Sequence, residues 1–308
     1  MNRLLFNVAL ILCIYSGSAA GEPAVSGHVV SGNVVNETTV SEPAVNKNIV
    51  VHCQGNGQPL YLIVGGPAFT SKHLEPIQQQ LQDSFKVCRW DMRGVGENAA
   101  LPIKDDSTVI DQWLTDMAEV LPEQPVLLWG QSWGALQSLL FAKRYPERVK
   151  AIVLSNPVDP ELASIEDIEI KRHLHPYVES KLSIDDMDTN VEKRHRLRSK
   201  IASYFVDAEQ GWEYSAQFDH NDTNSQLNVQ LWQEYRLKPV SIETLKQLST
   251  KISAAIYCRQ DVLMPENHDR YSSALPTVKH HLIDGCAHYP WEEQPAEYYE
   301  LLRQSYID

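Results

Sequence analysis

An α/β fold, with a mostly parallel sheet, helices on both faces and an inserted helical cap, is what this 308-residue sequence predicts. Three observations carry that expectation. Short apolar runs alternate with stretches of helical spacing through residues 47–160 and again through 245–308, the pattern of a sheet buried on both sides. Residues 161–244 break the rhythm with charged helical stretches and no clear apolar strand, as an insertion does. With 43% hydrophobic and 22% charged residues, the chain can also bury a sizeable core in one or two domains.

The N-terminus comes first. Arg3, the apolar run Leu4–Tyr15 and the small residues Ser18-Ala19-Ala20 have the make-up of a secretory signal peptide over residues 1–20. The run is shorter than the roughly twenty apolar residues a membrane span needs, so a secreted or periplasmic protein with no span after signal removal is expected. Residues 21–46 read as a linker. Glu22-Pro23-Ala24-Val25 recurs there as Glu42-Pro43-Ala44-Val45, with small and polar residues between. Asn36 and Asn221 begin glycosylation sequons, which matter only in a host that glycosylates exported proteins.

The strands follow. Tyr61–Val64 ends at Gly65-Gly66-Pro67, and Phe85–Trp90 at Asp91-Met92-Arg93-Gly94. Asp111–Leu121 has helical spacing and stops before Pro122. Val126–Trp129 is a strand, Ala135–Tyr145 a helix, and Val149–Leu154, Ala254–Cys258 and His280–Ile283 are further strands. In the cap, Val191–Phe205 has helical period. Its aromatics Tyr177, Tyr204, Phe205, Trp212, Tyr214, Phe218, Trp232 and Tyr235 are expected mostly to form a small core of its own.

Charge and cysteine usage narrow the chemistry. A net charge of −13 argues against nucleic acid as a partner. After signal removal Cys53, Cys88, Cys258 and Cys286 remain. An oxidising compartment permits disulfides among them in any pairing, and buried free thiols fit the same positions. There is no Cys-x-x-Cys and no His-Glu-x-x-His. His173, His175, His280 and His281 read as cap or surface residues, so neither a metal nor another cofactor is expected.

Gly130-Gln131-Ser132-Trp133-Gly134 sits between the strand Val126–Trp129 and the helix from Ala135. A sharp strand-to-helix turn of this kind exposes a serine hydroxyl, and glycines are needed where side chains would clash. Ser132 is therefore the candidate nucleophile. His288 lies just after the last strand, where a general base for that serine belongs in chain order. Asp261, after the strand ending at Cys258, is the candidate to orient the imidazole. Asp159, after the strand ending at Leu154, competes with it, whereas Asp284 is too near His288 along the chain and reads as a loop cap. The backbone N–H groups of Trp133 and Gly66 are the candidate oxyanion donors, because Pro67 has none.

Taken together, these stretches resemble the α/β-hydrolase superfamily, and within it the proline iminopeptidase-like branch. That branch carries His-Gly-Gly-Pro-Gly, Asp-Gln-Arg-Gly-x-Gly-x-Ser and Gly-Gly-Ser-Trp-Gly. Val64-Gly65-Gly66-Pro67-Ala68, Asp91-Met92-Arg93-Gly94-Val95-Gly96-Glu97-Asn98 and Gly130–Gly134 correspond, as does Gly285-Cys286-Ala287-His288-Tyr289-Pro290-Trp291-Glu292. The likeness covers roughly residues 50–160 and 245–308, and Val64, Ala68, Met92 and Asn98 depart from it. It implies a serine hydrolase that removes N-terminal residues, often proline, from short peptides through an acyl-enzyme; the N-terminal signal pattern makes it an exported one. An anionic cap residue would bind the substrate amine. Glu213 beside Trp212 and Glu234 beside Trp232 have suitable chemistry, with Trp232 as an apolar wall, although neither lies in a matching motif. An esterase, lactonase or amidase using the same residues, and a non-catalytic binding protein that keeps the fold, are the alternatives.

Overall fold

The computed structural model describes residues 49–164, 171 and 189–307. The expected signal peptide and linker, together with Tyr177, His173 and His175, lie outside these residues. Seven strands form one sheet: β1 (Val51–Gln54), β2 (Pro59–Ile63), β3 (Lys86–Trp90), β4 (Val126–Gln131), β5 (Val149–Ser155), β6 (Ile252–Cys258) and β7 (Lys279–Ile283). The order is β1-β3-β2-β4-β5-β6-β7, and only the β1–β3 pair is antiparallel.

The interior strands are continuous apolar runs because helices cover the sheet on both faces. Every residue of β4 is buried, as are Leu60–Ile63 of β2 and Ala254–Cys258 of β6. The helices before the cap are α1 (Glu75–Leu81), α2 (Val109–Val120) and α3 (Trp133–Arg144). Between β5 and β6 the described residues contain α4 (Thr189–Ala202), α5 (Ala208–Tyr214), α6 (Ser225–Leu237) and α7 (Ile242–Gln247), with no strand among them. After β6 come α8 (Glu266–Ala274), α9 (Pro290–Glu293) and α10 (Pro295–Ile307). The expected return to the sheet domain at residue 245 falls inside α7. No described helix is long and apolar enough to cross a membrane.

β1 has no counterpart in the sequence reading. Val51 and His52 are half-buried and Cys53 and Gln54 exposed, so this edge strand lacks the apolar run that marks the interior strands. It is held instead by covalent chemistry. Cys53 pairs in register with Cys88 of β3, and the two form a disulfide. A second disulfide joins Cys258, the last residue of β6, to Cys286.

The Asp91–Asn98 stretch is a tightly hydrogen-bonded turn that follows β3. Asp91 Oδ1 accepts from the Ser71 N–H at 2.6 Å and Oδ2 from the Glu97 N–H at 2.9 Å, while Asn98 Nδ2 donates to the Asp91 carbonyl at 2.6 Å. A Cβ on Gly96 would stand 2.0 Å from Asp91 Oδ2, which explains the glycine. Arg93 grips Asp116 of α2 in a two-pronged ion pair at 2.8 and 2.6 Å.

Candidate active site

Ser132 stands between β4 and α3 with φ +55° and ψ −119°, backbone that an L-residue adopts only when its surroundings force it. The surroundings are the two glycines. A Cβ on Gly130 would lie 2.4 Å from the Gly134 carbonyl oxygen, and one on Gly134 would lie 2.1 Å from the Ile63 carbonyl oxygen. The Ser132 N–H donates to the Ser155 carbonyl at 3.0 Å, which fixes the turn to β5. Ser132 therefore sits at the sheet's carboxyl edge with the α3 N-terminus behind it, where developing negative charge is favoured.

Asp261 and His288 follow the ends of β6 and β7. Asp261 Oδ2 is 2.7 Å from His288 Nδ1, and its Oδ1 accepts from the Leu263 N–H at 3.1 Å. All three side chains are nearly closed off, since Ser132, Asp261 and His288 are 8%, 4% and 5% exposed. Asp159 takes no part. It pairs with Arg270 at 2.9 Å and accepts from the Glu161 N–H, away from His288. Asp284 does not cap its loop; it forms an ion pair with Arg259.

Three features hold these loops together: a disulfide whose pairing the sequence left open, and two polar side chains it did not single out. The Cys258–Cys286 bridge ties the residue three before Asp261 to the residue two before His288. Asn156, itself at φ +40°, donates from Nδ2 to the Ala287 carbonyl at 3.0 Å and accepts at Oδ1 from the Cys258 N–H at 2.8 Å. Glu293 accepts from the N–H groups of Val206 and Ala287, both at 2.7 Å, and burial raises its pKa. Only paired long-range contacts define these roles, so no motif announces them.

The Gly65-Gly66-Pro67 turn lies beside Ser132. Gly66 lines the same two cavities as Ser132 and His288, at φ +50°. Gly65 cannot carry a side chain, because a Cβ there would stand 2.0 Å from Gln131 Oε1. Gln131 in turn donates to the His288 carbonyl at 3.2 Å. Trp133, at the first position of α3, places its N–H at the helix start next to the serine.

Two cavities meet at Ser132 and His288. The smaller, about 70 Å³, has Phe69, His73, Leu197, Ile201 and Tyr289 in its wall. His73 is fully buried and its pKa is pushed down to about 4, chiefly by desolvation, so the ring is neutral at ordinary pH. The larger cavity, about 320 Å³, is walled by Val158, Trp232 and Leu263, with Gln233, Lys200 and Arg236 as polar lining.

Of the suggested substrate-binding residues, only Trp232 borders a cavity; its ring meets that of Trp133 edge-on at 4.9 Å. Glu213 is exposed and borders neither. Glu234 is turned to α2, where its carboxylate accepts from the Val109 and Ile110 N–H groups at 3.1 and 3.0 Å. A helix N-terminus is a strong site for a carboxylate, which takes Glu234 away from any ligand. The expectation of a self-contained aromatic core in the cap also needs correcting. Tyr204 stacks on His288 at 4.6 Å, Phe205 on Tyr289 at 5.0 Å, Phe218 lies 5.2 Å from Phe69, and Tyr235 meets Trp133 at 5.4 Å. Among the described residues no cluster of three or more His, Cys, Asp or Glu is arranged to hold a metal ion.

The model of the alpha/beta hydrolase fold family matches residues 58–295, most of the chain. The chain belongs to this family. Relatives within it include a proline iminopeptidase of Heyndrickxia coagulans, 24% identical over 80% of this chain and 90% of that protein. A proline iminopeptidase of Clostridium botulinum is 33% identical, over 35% of this chain and 38% of its own length. Among solved structures, a thermophilic esterase from Thermogutta terrifontis superposes with a TM-score of 0.60 at 19% identity, covering 83% of this chain and 92% of that one. This α/β hydrolase is thus similar in sequence to proline iminopeptidases and in fold to an esterase.

Proposed function

We propose that this α/β hydrolase is an exported serine exopeptidase of proline iminopeptidase type, with Ser132, His288 and Asp261 as a catalytic triad. The observation that carries the reading is the Asp261–His288 hydrogen bond, formed beside the strained Ser132 turn and on the wall of the same cavities. Because Asp261 occupies Nδ1, it leaves Nε2 as the proton acceptor. Ser132 Oγ attacks the carbonyl carbon of the scissile bond and its proton passes to His288. His288 then protonates the leaving amine as the C–N bond breaks, giving the acyl-enzyme. Water attacks the ester, returns a proton to Ser132 through His288, and the acid is released. The Gly66 and Trp133 N–H groups stabilise the oxyanion in both halves.

The small cavity is bordered by Phe69, Leu197, Ile201 and Tyr289 together with the polar His73, Lys200, Thr223 and Asn228, and its size suits a compact group such as a pyrrolidine ring. Export agrees with two disulfides, which persist in oxidising compartments. Ser132→Ala should leave a folded protein that neither turns over substrate nor reacts with a fluorophosphonate; retained labelling contradicts the proposal. A second reading, an esterase or amidase using the same triad, is favoured by one observation. No carboxylate is among the described residues bordering either cavity, and a substrate without a free amine needs none. Comparing proline arylamides with short acyl esters separates the two, since turnover of the esters alone removes the peptidase assignment.

A further inference from the structure

Among the described residues, the charges that border the larger cavity are opposite in sign to the net charge of the molecule. The chain carries a net charge of −13, yet the charged side chains among the described residues bordering this cavity are cations, Lys200 of α4 and Arg236 of α6. They come from different helices and border the space that holds Ser132 and His288. Arg236 is exposed at its rim and has no ion-pair or hydrogen-bond partner among the described residues. A guanidinium in that state presents a planar fork of donors that fits a carboxylate in bidentate geometry. Beside it, Gln233 adds a neutral amide, and Trp232 and Leu263 supply apolar wall for the substrate body.

We infer that the larger cavity is a carboxylate-recognising subsite and that Arg236 selects substrates bearing an anionic group. A negatively charged protein repels an anionic substrate at long range, and the exposed Arg236 guanidinium opposes that repulsion where the substrate enters. The carboxylate has two possible sources: the free C-terminus of a leaving amino acid or short peptide, or an acid group on the acyl portion. The inference rests on the serine-hydrolase reading for its use, but the site can be measured without turnover.

Two measurements test it. In the full chain carrying Ser132→Ala, calorimetry with glutarate should show binding at least tenfold tighter than with neutral glutaramide, and adding Arg236→Gln should weaken glutarate by about tenfold. In the active protein, kcat/KM is compared for Pro-Ala against Pro-Ala amide, and for p-nitrophenyl hemisuccinate against p-nitrophenyl butyrate. A preference in the first pair places the carboxylate on the leaving side, and one in the second pair places it on the acyl side. Arg236→Gln should reduce the preferred ratio about tenfold, mostly through KM. Equal binding of glutarate and glutaramide, or an Arg236→Gln variant with unchanged ratios, overturns the inference. An active protein without carboxylate preference fails this inference alone, and an inactive one that binds glutarate through Arg236 fails the hydrolase reading alone.

Discussion

At the residue scale, the side chains that react and those that aim them are separable. Asp261→Asn retains a hydrogen-bonding amide but offers an N–H where His288 Nδ1–H needs an acceptor, so the wrong tautomer is favoured. We expect kcat to fall by about 10³–10⁴-fold with the melting temperature little changed, as stopped turnover assays and thermal unfolding would show. Asn156→Ala removes both hydrogen bonds that join the Cys258 N–H to the Ala287 carbonyl and leaves those groups buried. It should cost about 2 kcal/mol of stability in denaturant unfolding and lower kcat as the His288 loop loosens. The turn around Ser132 was legible in the sequence because both glycines fall within one five-residue motif, although only Gly130 answers to a neighbour inside it, Gly134, while Gly134 answers to Ile63 of β2. Asn156 was not, since its partner Ala287 lies 131 residues away and neither residue type advertises the contact.

At the element scale, strand ends and helix starts do the positioning. Five strands were readable as apolar runs and β7 as a short, half-buried strand, whereas β1 was hidden by its half-exposed, polar sequence and its dependence on the Cys53–Cys88 bridge. The two disulfides should differ in consequence. Each closes a loop of about thirty residues, so replacing either pair by serine should cost about 2–4 kcal/mol of stability. Only Cys258→Ser with Cys286→Ser should also depress kcat in the fully folded protein, because that bridge joins the loops carrying Asp261 and His288. Comparing unfolding curves and kcat for the two double variants checks this. Glu234 gives a contrasting case. Its contacts to the α2 N-terminus make Glu234→Ala a stability variant, expected to lose about 1 kcal/mol with KM for a proline arylamide unchanged. A large rise in KM would return Glu234 to the substrate site.

At the scale of the whole molecule, the cap and the sheet share one aromatic seam. Tyr204, Phe205, Phe218 and Tyr235 of the cap pack on His288, Tyr289, Phe69 and Trp133, contacts that a helical period cannot reveal because they depend on how the insertion folds back. His73 lies in this seam, neutral, with its Nδ1 2.7 Å from the Thr70 carbonyl oxygen. Its folded pKa of about 4 is below the ordinary histidine value, so the unfolded chain binds a proton more readily between those values. Stability should therefore fall as pH drops from about 6.5 towards 4, with about 3 kcal/mol lost through this ring. Burial of Glu292 and Glu293 raises their pKa values and acts in the opposite sense as they take up protons. Unfolding free energies of the parent and His73→Gln between pH 4 and 6.5 isolate the ring, and the variant should show the flatter profile.

The central claim is that Ser132 carries the acyl group during turnover. Quenching a reaction with proline arylamide or an acyl ester in acid and mapping the digest by mass spectrometry reads this directly. The acyl mass is expected on the peptide containing Ser132 and nowhere else, with none in the Ser132→Ala protein. Turnover with the acyl group on a different residue, or an adduct that survives Ser132→Ala, would contradict it.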